Sequence, residues 1–351
     1  MTRRFGSIQY LRGLAATLVV ASHAFLYPLI DEPMVYGRWG WLGVILFFVI
    51  SGFIMVVVTG DGAFEGWLFL RRRAVRVIPM YWAATLFTAG LALLAPQLFK
   101  SMTFDWSQLW QSLLFIPFYN ETSGGIHPIY KLGWTINYEV YFYFCFAVLC
   151  LLRSTPRVVI LTIWFSGMAL FGAIARPTGD FAVFYTSYMP LAFCVGMVLG
   201  LMANRKTASA PPVVLWGAGA VALVGFALGM FWPSPAVEDW TAFLGALTFA
   251  SCAVFLAVHL EAHISTMAFL EQIGDASYST YLSHIYVVGA LSAFAYASFG
   301  YSGMYLPIAV LAIGCATLGG WLLHIGIERP LMRWLAPLAA RTSSPASLER
   351  V

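Results

Sequence analysis

Charge is scarce in this sequence. Lysine, arginine, aspartate and glutamate make up 10% of its 351 residues, and hydrophobic residues make up 61%. So few charges cannot cover a water-soluble globule of this size, and the long apolar runs place the chain among polytopic membrane proteins. Cysteine supplies no staples. Cys145, Cys150, Cys194, Cys252 and Cys315 fall inside or at the ends of apolar runs, and none forms a C-x-x-C pair. They read as small core residues rather than disulfides or metal ligands. Gly-rich phosphate loops, G-x-S-x-G elbows, internal repeats and soluble domains are all missing. The net charge of +4 is no nucleic-acid signature, because the basic residues sit in short loops between apolar runs.

What is present is a series of spans, each long enough to cross about 30 Å of hydrocarbon. Ten are expected, over residues 8–29, 41–59, 77–95, 132–152, 157–175, 181–203, 212–232, 239–259, 277–297 and 304–326. The predicted fold is an all-α polytopic membrane protein, with a transmembrane domain over 1–341 and a disordered polar tail over 342–351. Arg3 and Arg4 precede the first run, but that run is longer than a signal core and carries Arg12, so it reads as a retained span. With the N-terminus in the cytoplasm, 15 of the 19 basic residues fall on the cytoplasmic side. Both termini are therefore expected inside. Two loops are longer than turns. Residues 60–75 carry aromatics beside arginines and suit an interfacial helix. Residues 96–131 carry Trp106, Trp110, Tyr119 and Tyr130, either an interfacial belt or a platform for a sugar ring.

The first span organises the rest. Arg12 and His23 are eleven residues apart on one helical face, about 16 Å along the axis. An ionisable residue at that depth is costly and marks a functional site by default. Arg72, Arg73 and Arg76 lie with Arg12 at the cytoplasmic edge. Planar guanidinium forks match phosphate oxygens, so the four form a candidate site for a phosphorylated ligand. Glu139, in the inward-running fourth span, lies about 10 Å below the external edge, the depth expected for His23. A carboxylate there would stabilise an imidazolium and fix its tautomer, with Asn137 and Tyr138 as neighbours. Ser277, Tyr278, Tyr281 and His284 open the ninth span with many hydroxyls, which suits either a wet cavity or helix–helix hydrogen bonding. His259 and His263 have metal-ligand spacing, but Glu261 is the only further ligand nearby and no metal site is expected. His324 and Glu328 are spaced to pair structurally.

Taken together, these motifs resemble the acyltransferase-3 family of integral membrane acyltransferases. Arg12-Gly13-Leu14-Ala15-Ala16 through His23 is similar to its R-x10-H motif, and Gly43–Gly52 to its second-span signature. Arg72-Arg73-Ala74-Val75-Arg76-Val77-Ile78-Pro79-Met80-Tyr81-Trp82 resembles R-R-x-x-R-I-x-P-x-Y. Trp134–Tyr143 resembles W-[ST]-L-x-x-E-x-x-F-Y, with Ile136 in place of leucine. Ser277–His284 resembles S-Y-x-x-Y-L-x-H, and Glu328-Arg329-Pro330 the closing E-x-P. The compact form is most similar to the exopolysaccharide-modifying branch.

The resemblance implies transfer of a small acyl group, usually acetyl, from cytoplasmic acyl-CoA to a saccharide hydroxyl, in a bacterial inner membrane. Acyl-CoA is then a donor substrate, and no permanently bound cofactor is expected. His23 is the expected base, oriented by Glu139. Arg12, Arg72, Arg73, Arg76, Tyr81, Trp134, Asn137, Ser277, Tyr278, Tyr281 and His284 are the expected binding residues. A covalent acyl-histidine relay is the alternative mechanism. A transporter or flippase for a lipid-linked saccharide is the alternative function, although the sequence has no inverted repeat. No sequence feature specifies an oligomeric state.

Overall fold

The computed structural model describes residues 5–26, 33–95, 104–205, 210–233, 239–265, 267–300 and 305–339. The expected disordered tail, 342–351, lies outside them. The chain divides into two units, Met1–Gly60 with Val195–Leu331, and Asp61–Cys194 with Met332–Val351. Among the described residues, seven helices are long and apolar enough to cross a membrane. Many of their large apolar side chains face outward, for example Ile163, Phe171 and Ile174 on one helix and Trp216, Leu223 and Phe231 on another. In water this would be a fault; in a bilayer it is the expected solvent-facing surface.

In the first unit, α1 (Gly6–Leu26) packs against α2 (Pro33–Thr59). The backbones approach closely because Gly43 has no side chain. A Cβ there would run into the Ala15 carbonyl and Val19. The start of α1 is held from far along the chain. The Glu261 carboxylate accepts from the Gly6 and Ser7 amides at 2.7 and 3.0 Å. These are amides that a helix leaves without internal partners, at the positive end of its dipole. Arg38, outside the expected second span, lies within α2 and is buried, donating to the Trp232 carbonyl.

In the second unit, α3 (Gly66–Leu94) is a single helix of 29 residues, about 44 Å long. The separate interfacial helix expected over 60–75 is therefore the first turns of this longer one. α4 (Trp106–Leu113), which the sequence reading did not anticipate, is started by the Asp105 carboxylate accepting from the Gln108 amide at 2.8 Å. Trp106 and Trp110 lie exposed on it one turn apart, whereas Tyr130 is buried. A two-residue ladder, β1 (Tyr119–Asn120) with β2 (Gly125–Ile126), pairs Tyr119 with Ile126. α5 (Trp134–Val148) is 15 residues long, shorter than the expected 132–152. α6 (Ser154–Ala175) follows it. The expected span 181–203 is two helices, α7 (Asp180–Tyr185) and α8 (Leu191–Asn204), separated by residues 186–190, with Pro190 immediately before α8. Proline has no amide hydrogen to continue a helix, and it restricts the residue before it.

The first unit resumes within α8, whose Gly196 and Gly200 sit on α2. α9 (Pro212–Phe231) and α10 (Trp240–Leu260) pair closely through Gly225, Gly229 and Gly245. Small residues four apart are a recurrent device for close helix contact in membranes. α11 (Ala268–Asp275), a second unanticipated short helix, lies against α1. α12 (Ser277–Phe299) and α13 (Tyr305–Leu323) complete the ring of helices around α1. Val20 and Ala24 of α1, Val288 of α12 and the Ala309–Ala312–Ala316 stripe of α13 form one buried cluster. After α13 the helix widens into a π turn over His324–Glu328 and continues as α14 (Arg329–Leu335). The π turn buries the Glu328 carboxylate, which accepts from Ser279 Oγ at 2.6 Å and meets His324 Nδ1 at 2.8 Å. The expected His324–Glu328 pair is thus present.

Candidate functional site

Arg12, His23, Ser277, Tyr278, Tyr281 and His284 belong to the first unit. Arg72, Arg73, Arg76, Tyr81, Trp134, Asn137 and Glu139 belong to the second. Each group is built by its own helix pairings.

In the first unit, α1 and the stretch from α11 into α12 run in the same direction. Gly13 faces Ile273 and Gly274 near the start, and His23 meets His284 further along. His23 lies in the last turn of α1 and is half-buried; His284 is fully buried. His284 Nε2 and His23 Nδ1 are 3.2 Å apart, and the ring centroids 5.1 Å apart with planes inclined at 53°. His23 Nδ1 also lies 2.9 Å from the Val19 carbonyl oxygen. His284 Nδ1 lies 2.8 Å from the Tyr281 carbonyl oxygen and 3.2 Å from that of Thr280. The buried Tyr281 ring stands between Phe47 and His284, 6.0 Å from each. Ser277 is fully buried, and among the described residues its Oγ has no hydrogen-bond partner. Arg12 is half-buried and donates to Gln9 Oε1 at 3.0 Å. The first unit thus holds an imidazole pair inside its helix bundle, with an arginine about 16 Å down the same helix as His23. Such a pair can accept a proton from a hydroxyl and return it to a leaving group.

In the second unit, α3 and α5 pack against each other. Phe69 meets Tyr143 edge to face at 6.1 Å, and a Cβ on Gly133 would fall into the Tyr81 ring. Between these two contacts the helices run antiparallel. Arg73 lies four residues on from Phe69, and Glu139 four residues back from Tyr143. The two therefore share a level along the helix pair. Arg72, Arg73 and Arg76 are all half-buried. The Glu139 carboxylate accepts from the Tyr143 hydroxyl on its own helix. Asn137 is buried, and its Oδ1 has no hydrogen-bond partner among the described residues. An orphaned amide oxygen in such a place is costly. Trp134 is half-buried and packs edge to face on Tyr138. Tyr81 is fully buried, and its hydroxyl donates to the Ser112 carbonyl at 2.9 Å, tying α3 to α4.

Two features were not singled out from the sequence. His284 was read as a binding residue, and its contact with His23 joins residues 261 apart, a distance no local pattern reveals. On the hairpin loop, Ser123 Oγ lies 2.9 Å from His127 Nδ1. Burial, reinforced by the nearby Lys131 cation, lowers the His127 pKa to about 4, so this imidazole is neutral at pH 7. His259, near the end of α10, lies against Phe255, with Nδ1 2.9 Å from its carbonyl oxygen, and Glu261 accepts from the start of α1.

Residues 5–325 match the family model described as an acyltransferase domain. The exopolysaccharide production protein ExoZ of Rhizobium meliloti (strain 1021) is 32% identical over 298 residues, covering 84% of this chain and 90% of that protein. BcsY of Komagataeibacter xylinus, whose name describes a membrane-bound transacylase, is 26% identical over 372 residues, covering 97% of this chain and 87% of that protein. No solved structure matches the chain.

Proposed function

The chain belongs to the acyltransferase-3 family, and from that premise we propose that it carries a small acyl group, acetyl by preference, from cytoplasmic acyl-CoA to a sugar hydroxyl of an exported or cell-surface polysaccharide. The membrane would be a bacterial inner membrane. The name of the Rhizobium relative, an exopolysaccharide production protein, supports a saccharide acceptor. The observation that carries the reading is His23: an imidazole in an apolar helix, met by a second imidazole, with Arg12 down the same helix. His23 takes the proton from the acceptor hydroxyl as its oxygen attacks the thioester carbonyl. The carbon–sulfur bond breaks, and the proton passes to the departing CoA thiolate. No bound cofactor is required, because the acyl group arrives already activated.

Arg12 in the first unit, and separately Arg72, Arg73 and Arg76 in the second, are each proposed as phosphate-binding groups for CoA, since guanidinium forks pair with phosphate oxygens. The orphaned Asn137 oxygen would accept from a donor on either substrate. Trp134, Tyr278 and Tyr281 offer aromatic and hydroxyl contacts. Glu139, held by Tyr143, is the second proposed catalytic group. Direct transfer is preferred to an acyl-histidine intermediate.

The test uses isolated membranes containing the full chain and acetyl-CoA labelled in the acetyl group. Label should pass to the saccharide fraction. Arg12→Ala should raise KM for acetyl-CoA about 10–100-fold, the loss of one charge-assisted phosphate contact of about 1.5–3 kcal/mol, with a smaller change in kcat. An unchanged KM in correctly inserted protein would remove Arg12 from the donor site.

A further inference from the structure

Resting on the reading of His23 as the base, we infer that His284 is a positioning residue that fixes which nitrogen of His23 carries the proton, and so makes Nε2 the basic atom. The contacts of the two ring nitrogens that face each other point to one assignment. Carbonyl oxygens only accept hydrogen bonds. His284 Nδ1 lies 2.8 and 3.2 Å from the carbonyl oxygens of Tyr281 and Thr280, so it bears the proton. In a neutral imidazole the other nitrogen then holds the lone pair. That lone pair, on His284 Nε2, faces His23 Nδ1 at 3.2 Å. His23 Nδ1 is also 2.9 Å from the Val19 carbonyl oxygen. It must therefore be the protonated nitrogen, shared between Val19 and His284. The opposite tautomer would set its lone pair against another lone pair and a carbonyl oxygen in a buried place.

The consequence is chemical. His23 Nε2 carries the lone pair that receives the hydroxyl proton. When it does so, the ring becomes an imidazolium and its Nδ1–H bond to His284 becomes charge-assisted and stronger. The interaction thus grows in the step where charge develops, which is where it accelerates the reaction. The proton moves from the acceptor hydroxyl to His23 Nε2 and on to the CoA sulfur. His284 neither gains nor loses one. Its full burial and its two backbone contacts hold its own ring in place.

The test reads the tautomer directly. Nitrogen-15 spectra are recorded on the full chain in lipid nanodiscs with labelled histidine, the His23 signals being identified by their loss in His23→Gln. The expected result is a protonated Nδ1 and an unprotonated Nε2 at His23. A proton on Nε2 instead would overturn the inference. Two variants give the functional readout. His284→Gln retains a carbonyl oxygen able to accept from His23 and should stay within about tenfold of the native kcat. His284→Leu should lower kcat about 10–100-fold, less than loss of the base itself because Val19 still favours the same tautomer, and should leave KM for acetyl-CoA unchanged. Equal kcat in the two variants would also overturn the positioning role. Full activity in His23→Ala is a different failure: it removes the base and leaves the tautomer assignment intact.

Discussion

His23→Ala should lower acyl transfer about 10²–10⁴-fold, the range a positioned general base supplies, while the protein still inserts and folds. The side chain is half-buried at the end of α1, so truncation leaves the buried Val20, Ala24, Val288 and α13 alanine cluster in place. The loss should appear in kcat, because the base acts on a proton in flight rather than on binding of the donor. Rates are measured with labelled acetyl-CoA in membranes holding matched amounts of native and variant protein. Retention of native kcat would place the base elsewhere and reduce the histidine pair to a helix contact.

Arg157→Met should destabilise the second unit by at least about 3 kcal/mol, because it removes several charge-assisted hydrogen bonds and leaves buried carbonyls without donors. Arg157 is fully buried near the start of α6. Its guanidinium donates to the carbonyls of Gly62 at 2.9 Å, Leu152 at 2.5 Å and Leu149 at 3.3 Å. It also lies over the Phe64 and Phe146 rings, 4.5 and 5.1 Å from their centroids. One side chain thus joins the stretch before α3, the end of α5 and the start of α6. Methionine fills similar space but donates nothing. Arg157→Lys should fall between native and Met, since an ammonium keeps the charge without the planar fork. Thermal unfolding of purified protein in detergent gives the comparison. A Tm for Arg157→Met equal to the native value would mean that these carbonyls do not depend on the guanidinium.

The helical spans were legible because a bilayer demands long apolar runs, and those runs are visible in any window. Helix ends and short elements were less so. α4 and α11 lie in polar loops, where eight residues with mixed character carry no span signal. The break over residues 186–190 was masked by apolar residues on both sides. Among site residues, Arg12 and His23 stood out because charge in an apolar run is expensive. Arg157 did not, because a basic residue between two spans reads as a topology signal; the rings and carbonyls that bury it come from other segments. The orientation of His23 was assigned from matching depth to Glu139. The contact of His23 with His284 was not legible, because the neighbourhood of α12 to α1 depends on tertiary packing alone.

Acylation of an exported or cell-surface saccharide by this chain is tested most directly by mass spectrometry of that polysaccharide. Material is compared from cells carrying the native chain, cells lacking it, and cells carrying His23→Ala. The expected result is a small acyl mass increment, acetyl by preference, with native protein, and its loss in the other two strains. Polysaccharide carrying the same acyl groups in all three would contradict that role.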